Sequence, residues 1–291
     1  MQYLLIVFSV LAGSSKSLLS KGLHSVNGDR LGLSRSNTYI FSAALVSVLI
    51  LSCIFGFGGL SLFTLGLGLI FACVLTAGQM LYMEALAAGE VSVTAFLYSC
   101  GFLIPTVAGV IFWKEAVTVQ KVIGVLLLLV SFFLIAWAPK KDGSRSSGTL
   151  RWRVCAFSAM AMSGLLGVLQ KVHQTSAHKG ELGSFLTVAM CAAVLFSALL
   201  AHFSAKGAQR VPFPRKIQLT ALSCGAIYGL ANFVNLRLAG VIPATLQFPL
   251  VNGGTIVFTA LMGHLLFRES LSRRKLCGIL VGIAAIIIIS R

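Results

Sequence analysis

Long apolar stretches alternate with short polar segments along the whole chain. A helix of about 20 apolar residues crosses the roughly 30 Å hydrocarbon core of a bilayer, and each stretch comes close to that length. The pattern therefore predicts an all-α integral membrane protein with ten transmembrane helices. The predicted spans are residues 3–22, 38–57, 61–83, 91–113, 119–138, 152–173, 184–203, 218–239, 243–266 and 274–290.

The most polar segment, residues 139–151, divides the spans into two sets of five. The halves 1–138 and 152–291 also resemble each other: Gly78–Gly89 aligns with Gly229–Gly240, and Phe112–Val117 aligns with Leu266–Leu271. Five is an odd number, so two tandem copies must have opposite orientations in the membrane. The sequence therefore predicts two inverted five-helix repeats, which is a transporter architecture.

Two further features recur in both halves. The fourth span of each half ends in a basic-acidic pair, Lys114-Glu115 and Arg268-Glu269, and a glycine follows early in the fifth span. In these features the chain resembles the EamA branch of the drug/metabolite transporter superfamily. The resemblance implies ten helices and transport of small metabolites through a central cavity lined by both halves. Relatives carry amino acids, other metabolites, drugs or nucleotide sugars, and many act as exporters.

Composition supports a membrane protein over a soluble one. Hydrophobic residues make up 57% and charged residues 10% of the 291 positions, and the mean hydropathy is +0.95, whereas soluble domains hold about 25% charged residues. The net charge of +16 would otherwise indicate a nucleic-acid partner. Here the basic residues lie in short loops, where anionic membrane lipid is the expected partner and no nucleic acid is required.

Most lysines and arginines lie in the odd-numbered loops. The positive-inside rule therefore places those loops in the cytoplasm and both termini outside, although similar transporters have cytoplasmic termini. The first apolar run lacks the basic start of a secretory signal, so it is interpreted as a span. A bacterial inner (plasma) membrane is the expected location.

Sequence motifs give no indication of an enzyme. The histidines form no H-E-x-x-H, and neither G-x-S-x-G nor a P-loop is present. The seven cysteines lie inside apolar spans without C-x-x-C spacing, so neither a disulfide framework nor a metal centre is predicted. No cofactor is expected.

Polar side chains inside the spans are the candidate substrate-binding residues, because such groups are costly in hydrocarbon. Tyr228, Asn232 and Asn235 share one face of the eighth span at spacings of four and three. Their phenol and amides suit a polar substrate. The alternative interpretation is hydrogen bonding between helices.

The third span carries Gln79 and Tyr82 on one face, with Glu84 near its end. Glu84 is the carboxylate placed within a span rather than at its edge, so it is the candidate for proton coupling. The alternative is an interfacial acid that is solvated or paired with Arg237.

Lys16 lies about 20 Å along the first span from Tyr3, at about 1.5 Å per residue. Its ammonium is suited to attract a carboxylate or phosphate of the substrate. The alternative is that the side chain snorkels to the lipid head groups. Lys171, in the corresponding sixth span, lies nearer the span end, so snorkelling is predicted for it.

Proline-containing breaks are predicted in the fourth span, near Tyr98 and Pro105, and in the ninth, near Pro249. Glu115 and Glu269 are predicted to have a structural role at span ends. The G-x-x-x-G spacings at Gly225–Gly229 and Gly278–Gly282 predict close helix packing, with a homodimer as an alternative use. The predicted substrate-binding residues are Lys16, Gln79, Tyr82, Tyr98, Tyr228, Asn232, Asn235, Gln247 and Asn252.

Together these features predict a secondary-active transporter of a small-molecule substrate that works by alternating access. Export or exchange of a small polar metabolite, led by amino acids, is the expected activity. The alternatives are a non-transporting membrane scaffold or assembly subunit and a membrane-embedded enzyme.

Overall fold

The computed structural model describes residues 2–24, 30–88, 91–136, 150–205, 214–267 and 272–290, and the regular structure in these ranges is entirely helical. It comprises ten helices, the fourth of which consists of two segments joined by a 3-10 turn, and a second 3-10 turn at Lys179–Glu181. The segments are α1 (Gln2–His24), α2 (Arg30–Phe55), α3 (Leu62–Ala88), α4 (Val91–Ser99), a 3-10 turn (Cys100–Phe102), α5 (Leu103–Trp113), α6 (Val119–Ala136), α7 (Leu150–Thr175), α8 (Leu182–Ser204), α9 (Arg215–Ala239), α10 (Ala244–Phe267) and α11 (Arg273–Ile289).

Nine helices in the described ranges are long and apolar enough to cross a membrane, with α4 and α5 counted together. The tenth, α11, has 17 residues, which is the lower end of the length that spans a bilayer, about 17–25 residues. Large apolar side chains such as Leu4, Leu62 and Val119 are 73%, 88% and 75% exposed. The all-α membrane fold predicted from hydropathy is therefore confirmed.

Several predicted boundaries differ from the structure. Helix α2 begins at Arg30 rather than residue 38, because its first turns carry polar residues that are nevertheless buried (Ser34, Ser36 and Asn37). Helix α3 continues past residue 83 to Ala88, which places Glu84 within the helix. The linker 139–149, Gly89 and the segment Arg268–Leu271 lie outside the described residues.

The two predicted breaks have different outcomes. The fourth span is interrupted at the 3-10 turn Cys100–Phe102, two residues after Tyr98. In contrast, α10 is helical through Pro249, so the predicted interruption of the ninth span is wrong. Proline removes one backbone donor, but a membrane helix can continue through it where other groups satisfy the freed carbonyl.

The chain forms two compact units, each assembled from separate stretches of sequence. Unit 1 comprises Met1–Val10, Ala77–Lys171 and Val241–Arg291, and unit 2 comprises Leu11–Thr76 and Val172–Gly240. Each unit thus includes residues from both predicted halves, 1–138 and 152–291. The inverted repeat itself stays a prediction.

In unit 1, α11 packs along α6, and α10 contacts α5, α6 and α11. Small residues permit this approach: a side chain at Gly278 would meet Leu134 and Ile135, and one at Gly282 would meet Ser131. The Ser131 hydroxyl donates a 2.7 Å hydrogen bond to the Gly278 carbonyl. The predicted packing role of the second G-x-x-x-G spacing is therefore observed within the chain.

In unit 2, α2 packs against both α8 and α9. A Cβ atom at Gly225 would collide with the Ile40 carbonyl, and one at Gly229 would lie 2.5 Å from the Ala44 carbonyl. The backbones of α2 and α9 are therefore in direct contact. The face that the first G-x-x-x-G spacing offers is occupied by a helix of the same chain.

Candidate functional site

Two predicted substrate-binding residues meet in unit 2. The ammonium of Lys16, on α1, lies 4.0 Å from the centroid of the Tyr228 ring, on α9. The Tyr228 ring also lies near Phe41 of α2, with ring centroids 6.4 Å apart. A cation over an aromatic face is attracted by the ring quadrupole. Lys16 is therefore directed toward α9, as expected for an interior position rather than for a snorkelling lysine.

The two asparagines of the predicted α9 face differ in their surroundings. Asn232 is buried, and its Nδ2 donates a 2.9 Å hydrogen bond to the Tyr228 carbonyl one turn earlier in the same helix. Asn235 is half-buried. Because Asn235 is less buried than Asn232, its replacement is the better test of substrate binding.

In unit 1 the predicted residues Tyr82 and Tyr98 are in contact. Their ring centroids are 4.3 Å apart with an interplanar angle of 36°. The Tyr98 hydroxyl is also hydrogen-bonded to Ser163 of α7. The residues Tyr82, Tyr98 and Ser163, which we call the tyrosine cluster, therefore combine two aromatic faces with hydroxyl groups.

Ser163 is a residue of the cluster that no sequence pattern singled out. Serine is common in membrane helices, so one serine in an apolar span gives no signal of its own. The structure places it beside the 3-10 turn, where a Cβ atom at Gly101 would lie 3.1 Å from the Ser163 side chain. Gly101 in this turn thus leaves room for α7 to pack against the fourth span beside Tyr98.

The remaining predicted substrate residues also belong to unit 1. Gln79 is half-buried on α3, one turn before Tyr82, and Gln247 is buried on α10. Asn252 is half-buried, and its Nδ2 donates a 2.9 Å hydrogen bond to the Phe248 carbonyl. Their role in binding stays a prediction.

Glu84, the predicted proton-coupling residue, lies near the end of α3. Its Oε2 atom is 3.5 Å from the Arg151 guanidinium, and the two side chains are 28% and 69% exposed. Cys155 Sγ lies 4.0 Å from the same oxygen. Arg237, the alternative partner from the sequence, instead lies over the Phe55 ring at 5.5 Å. Exposed pairs such as Glu84–Arg151 contribute about 0–1 kcal/mol, so neutralising Glu84 is a clean functional test.

Lys171 does not snorkel, so that prediction is wrong. The side chain is buried in unit 1, and Nζ lies 3.3 Å from Glu115 Oε1. Burial raises the pKa of the Glu115 carboxyl. Hydrogen bonds from the Thr245 and Ala244 amides and the Lys171 ammonium outweigh this effect and hold the pKa below its ordinary value. Glu115 is thus ionised at neutral pH.

Unit 2 contains a second polar cluster that sequence reasoning missed. Glu181 Oε2 accepts hydrogen bonds from the Ser61 amide (2.9 Å) and hydroxyl (2.7 Å), and Oε1 lies 3.1 Å from His178 Nδ1. Thr64 is hydrogen-bonded to the same carboxylate and lies 3.3 Å from Nε2 of the fully buried His173. The cluster ties the α2–α3 connection to the α7–α8 connection.

Comparison with known families identifies the chain. A family model described as sugar transport protein matches residues 26–290. The chain belongs to this sugar transport protein family. The family is of the drug/metabolite transporter type, so the predicted superfamily relationship is confirmed at that level, and the family supports a role in membrane transport in general terms.

Two curated relatives align with parts of this member of the sugar transport family. An uncharacterized protein of Haemophilus influenzae is 24% identical over 193 residues, which is 63% of this chain and 60% of the relative. Multidrug resistance protein EbrA of Bacillus licheniformis is 35% identical over 63 residues, which is 22% of this chain and 60% of EbrA. The chain thus aligns with 60% of the length of each relative.

A solved crystal structure has the same fold as this sugar transport family member. The TM-score is 0.76 over 99% of this chain and 97% of the other, at 12% sequence identity. At that identity the likeness concerns the fold alone.

Proposed function

We propose that this chain is a secondary-active carrier of a small, neutral, polyhydroxylated metabolite, with a sugar as the leading class. The observation that carries the proposal is the tyrosine cluster. Its rings are 4.3 Å apart, and Ser163 bonds one hydroxyl. Aromatic faces with a few well-placed polar groups are typical of small-molecule sites. Membership of a sugar transport family supports the substrate class.

A second candidate substrate is an amino acid, the class that the sequence placed first. It is favoured by Lys16, whose ammonium lies over Tyr228. The ammonium of this half-buried lysine can pair with a carboxylate, whereas a neutral sugar offers no counter-charge. The charge of the solute therefore separates the two candidates.

The sequence adds four features to the proposal. They are alternating access between inverted repeats, an EamA-type relationship, export or exchange of the solute, and location in a bacterial inner membrane. Coupling to protons through Glu84 is part of the same proposal.

Counterflow in proteoliposomes tests the carrier proposal. Vesicles loaded with unlabelled solute are diluted into labelled solute, and uptake is followed for hexoses, pentoses and neutral, acidic and basic amino acids. Transient accumulation of one class identifies the substrate without requiring an ion gradient. Equal labelling of vesicles with and without protein, across the whole panel, would instead support the scaffold alternative.

Glu84→Gln tests the coupling step separately. In a coupled carrier, counterflow stays intact in this variant while accumulation driven by a pH gradient is lost. Accumulation that equals the wild-type level would exclude Glu84 as the coupling group.

A further inference from the structure

Glu115 follows α5 in sequence, but its carboxylate lies at the start of α10. Oε1 accepts a hydrogen bond of 2.7 Å from the Ala244 amide, and Oε2 accepts one of 2.8 Å from the Thr245 amide. Amides in the first turn of a helix have no partner within the helix. Glu115 therefore caps α10 from a different part of the chain.

Lys171 brings a third helix to this cap. Its Nζ lies 3.3 Å from Glu115 Oε1 and donates a 2.9 Å hydrogen bond to the Ile242 carbonyl, just before α10. The side chains of Lys171 and Glu115 are only 8% and 10% exposed. One buried ion pair thus joins the end of α5, α7 and the beginning of α10.

The backbone around Glu115 is shaped for this contact. Lys114 has a left-handed conformation, with φ of 51°, which a lysine seldom adopts. Strained residues of this kind persist where the surrounding structure imposes them. Gly109 leaves the space that the carboxylate fills, because a Cβ atom there would lie 2.8 Å from Glu115 Oε2 and 3.1 Å from Ala244 Cβ.

A buried ion pair is weak grounds for inferring stability, because the cost of desolvating both charges offsets their attraction. The better-supported use of such pairs is to fix one arrangement. Here the arrangement is that of α10, which carries the predicted substrate residues Gln247, two positions after Thr245, and Asn252.

We propose that Glu115 and Lys171 are positioning residues of the transport site. Through the cap and the ion pair they hold the first turn of α10, and thereby the placement of Gln247 and Asn252 in unit 1. The proposal rests on the proposed carrier function, and it assigns to these two residues a role in substrate affinity that reaches beyond support of the fold.

The test compares KM and maximal rate in counterflow for wild type, Glu115→Gln, Lys171→Met, Lys171→Arg and the double variant Glu115→Gln/Lys171→Met. We expect KM to rise by roughly tenfold in both single variants, because small misplacements of positioning groups have large effects. Lys171→Arg restores the charge and should recover KM. The double variant should regain thermal stability without regaining KM, because no buried charge is left unpaired.

Two matched variants separate positioning from general stability. Glu181→Gln neutralises a carboxylate with several hydrogen bonds in unit 2, so it should lower the melting temperature and leave KM unchanged. Lys216→Met removes an exposed charge at the start of α9 and should change neither.

The outcomes are distinct for the two proposals. If Glu115→Gln and Lys171→Met lower stability as Glu181→Gln does but keep the wild-type KM, the positioning role is overturned and the carrier proposal stands. If the wild type itself shows no counterflow for any solute, the carrier proposal fails and the positioning role fails with it.

Discussion

The ammonium of Lys16 lies 4.0 Å above the ring of Tyr228, so a charge from the first helix is held on an aromatic face of α9. Cation–π contacts contribute about 0.5–2 kcal/mol. Lys16 is half-buried, and partial removal of an ammonium from water carries a desolvation cost that opposes this gain. A solute that brings a negative group to Lys16 would offset that cost.

Lys16→Met should therefore discriminate between solute classes. Binding of a solute with a carboxylate should weaken by about 1.5–3 kcal/mol, or roughly 10- to 150-fold, because a charge-assisted hydrogen bond is lost. Affinity for a neutral sugar should change by less than threefold. Isothermal titration of the purified variant measures both, and a parallel loss for the two classes would contradict a charge-specific role.

Tyr98→Phe tests the tyrosine cluster. The substitution keeps the ring against Tyr82 and removes the hydroxyl that bonds Ser163. A net loss of about 1 kcal/mol predicts a rise of roughly fivefold in the counterflow KM for a sugar. Ser163→Ala is the matched control, and the double variant should be no worse than either single one. Additive effects would show that the two hydroxyls act independently.

Asn235→Ala tests the α9 face. A ligand that binds only the folded protein raises its melting temperature, so a solute found in a thermal-shift screen should lose this effect in the variant. The ligand-free melting temperature should stay near the wild-type value, because the side chain is half-buried. A ligand shift that persists undiminished in Asn235→Ala would remove this residue from the site.

The pKa of Glu115 predicts a pH effect on stability. Its folded-state pKa is below the ordinary value, so the ionised form stabilises the fold above the ordinary pKa. This contribution is lost as the pH falls through the folded-state pKa. Thermal unfolding between pH 7 and about pH 3 should therefore show a smaller acid-dependent decrease for Glu115→Gln than for the wild type. Identical slopes would contradict this assignment.

Gly229→Ala should destabilise unit 2, because a Cβ atom there would lie 2.5 Å from the Ala44 carbonyl of α2. Overpacking of this kind costs about 1–3 kcal/mol. Gly66→Ala in α3 is the control, because nothing lies within 4 Å of its added Cβ atom. Denaturant titration in detergent compares the two, and equal stabilities would show that α9 can shift away from α2.

Hydropathy predicted the helices well because a span needs little more than length and apolar composition. It failed where burial in the protein replaces contact with lipid. Ser34, Ser36 and Asn37 are polar yet buried, so the start of α2 was placed too late. At Pro249 the sequence predicted a break where the helix is continuous, because composition alone does not show that a helix continues through a proline.

Sequence periodicity predicts only those parts of the candidate sites that lie on a single helix. The face with Tyr228, Asn232 and Asn235 follows from helical periodicity, whereas the contact of Tyr228 with Lys16 is tertiary. The position of Lys171 near the end of its span predicts contact with the head groups, because the sequence does not show what the side chain meets in the folded protein. Its partner Glu115 lies in another stretch of the chain, and no spacing rule connects them.

Because each unit is assembled from separate stretches of sequence, its parts are synthesised at different times. Unit 2 has all its residues once Gly240 has been made, whereas unit 1 combines Met1–Val10 and Ala77–Lys171 with Val241–Arg291, which is synthesised later. At about 5–20 residues per second, the first stretch of unit 1 waits on the order of ten seconds or more for its last partners. During biogenesis the part of α1 that belongs to unit 1 must therefore stay in the membrane, without these partners, until α10 and α11 have been inserted.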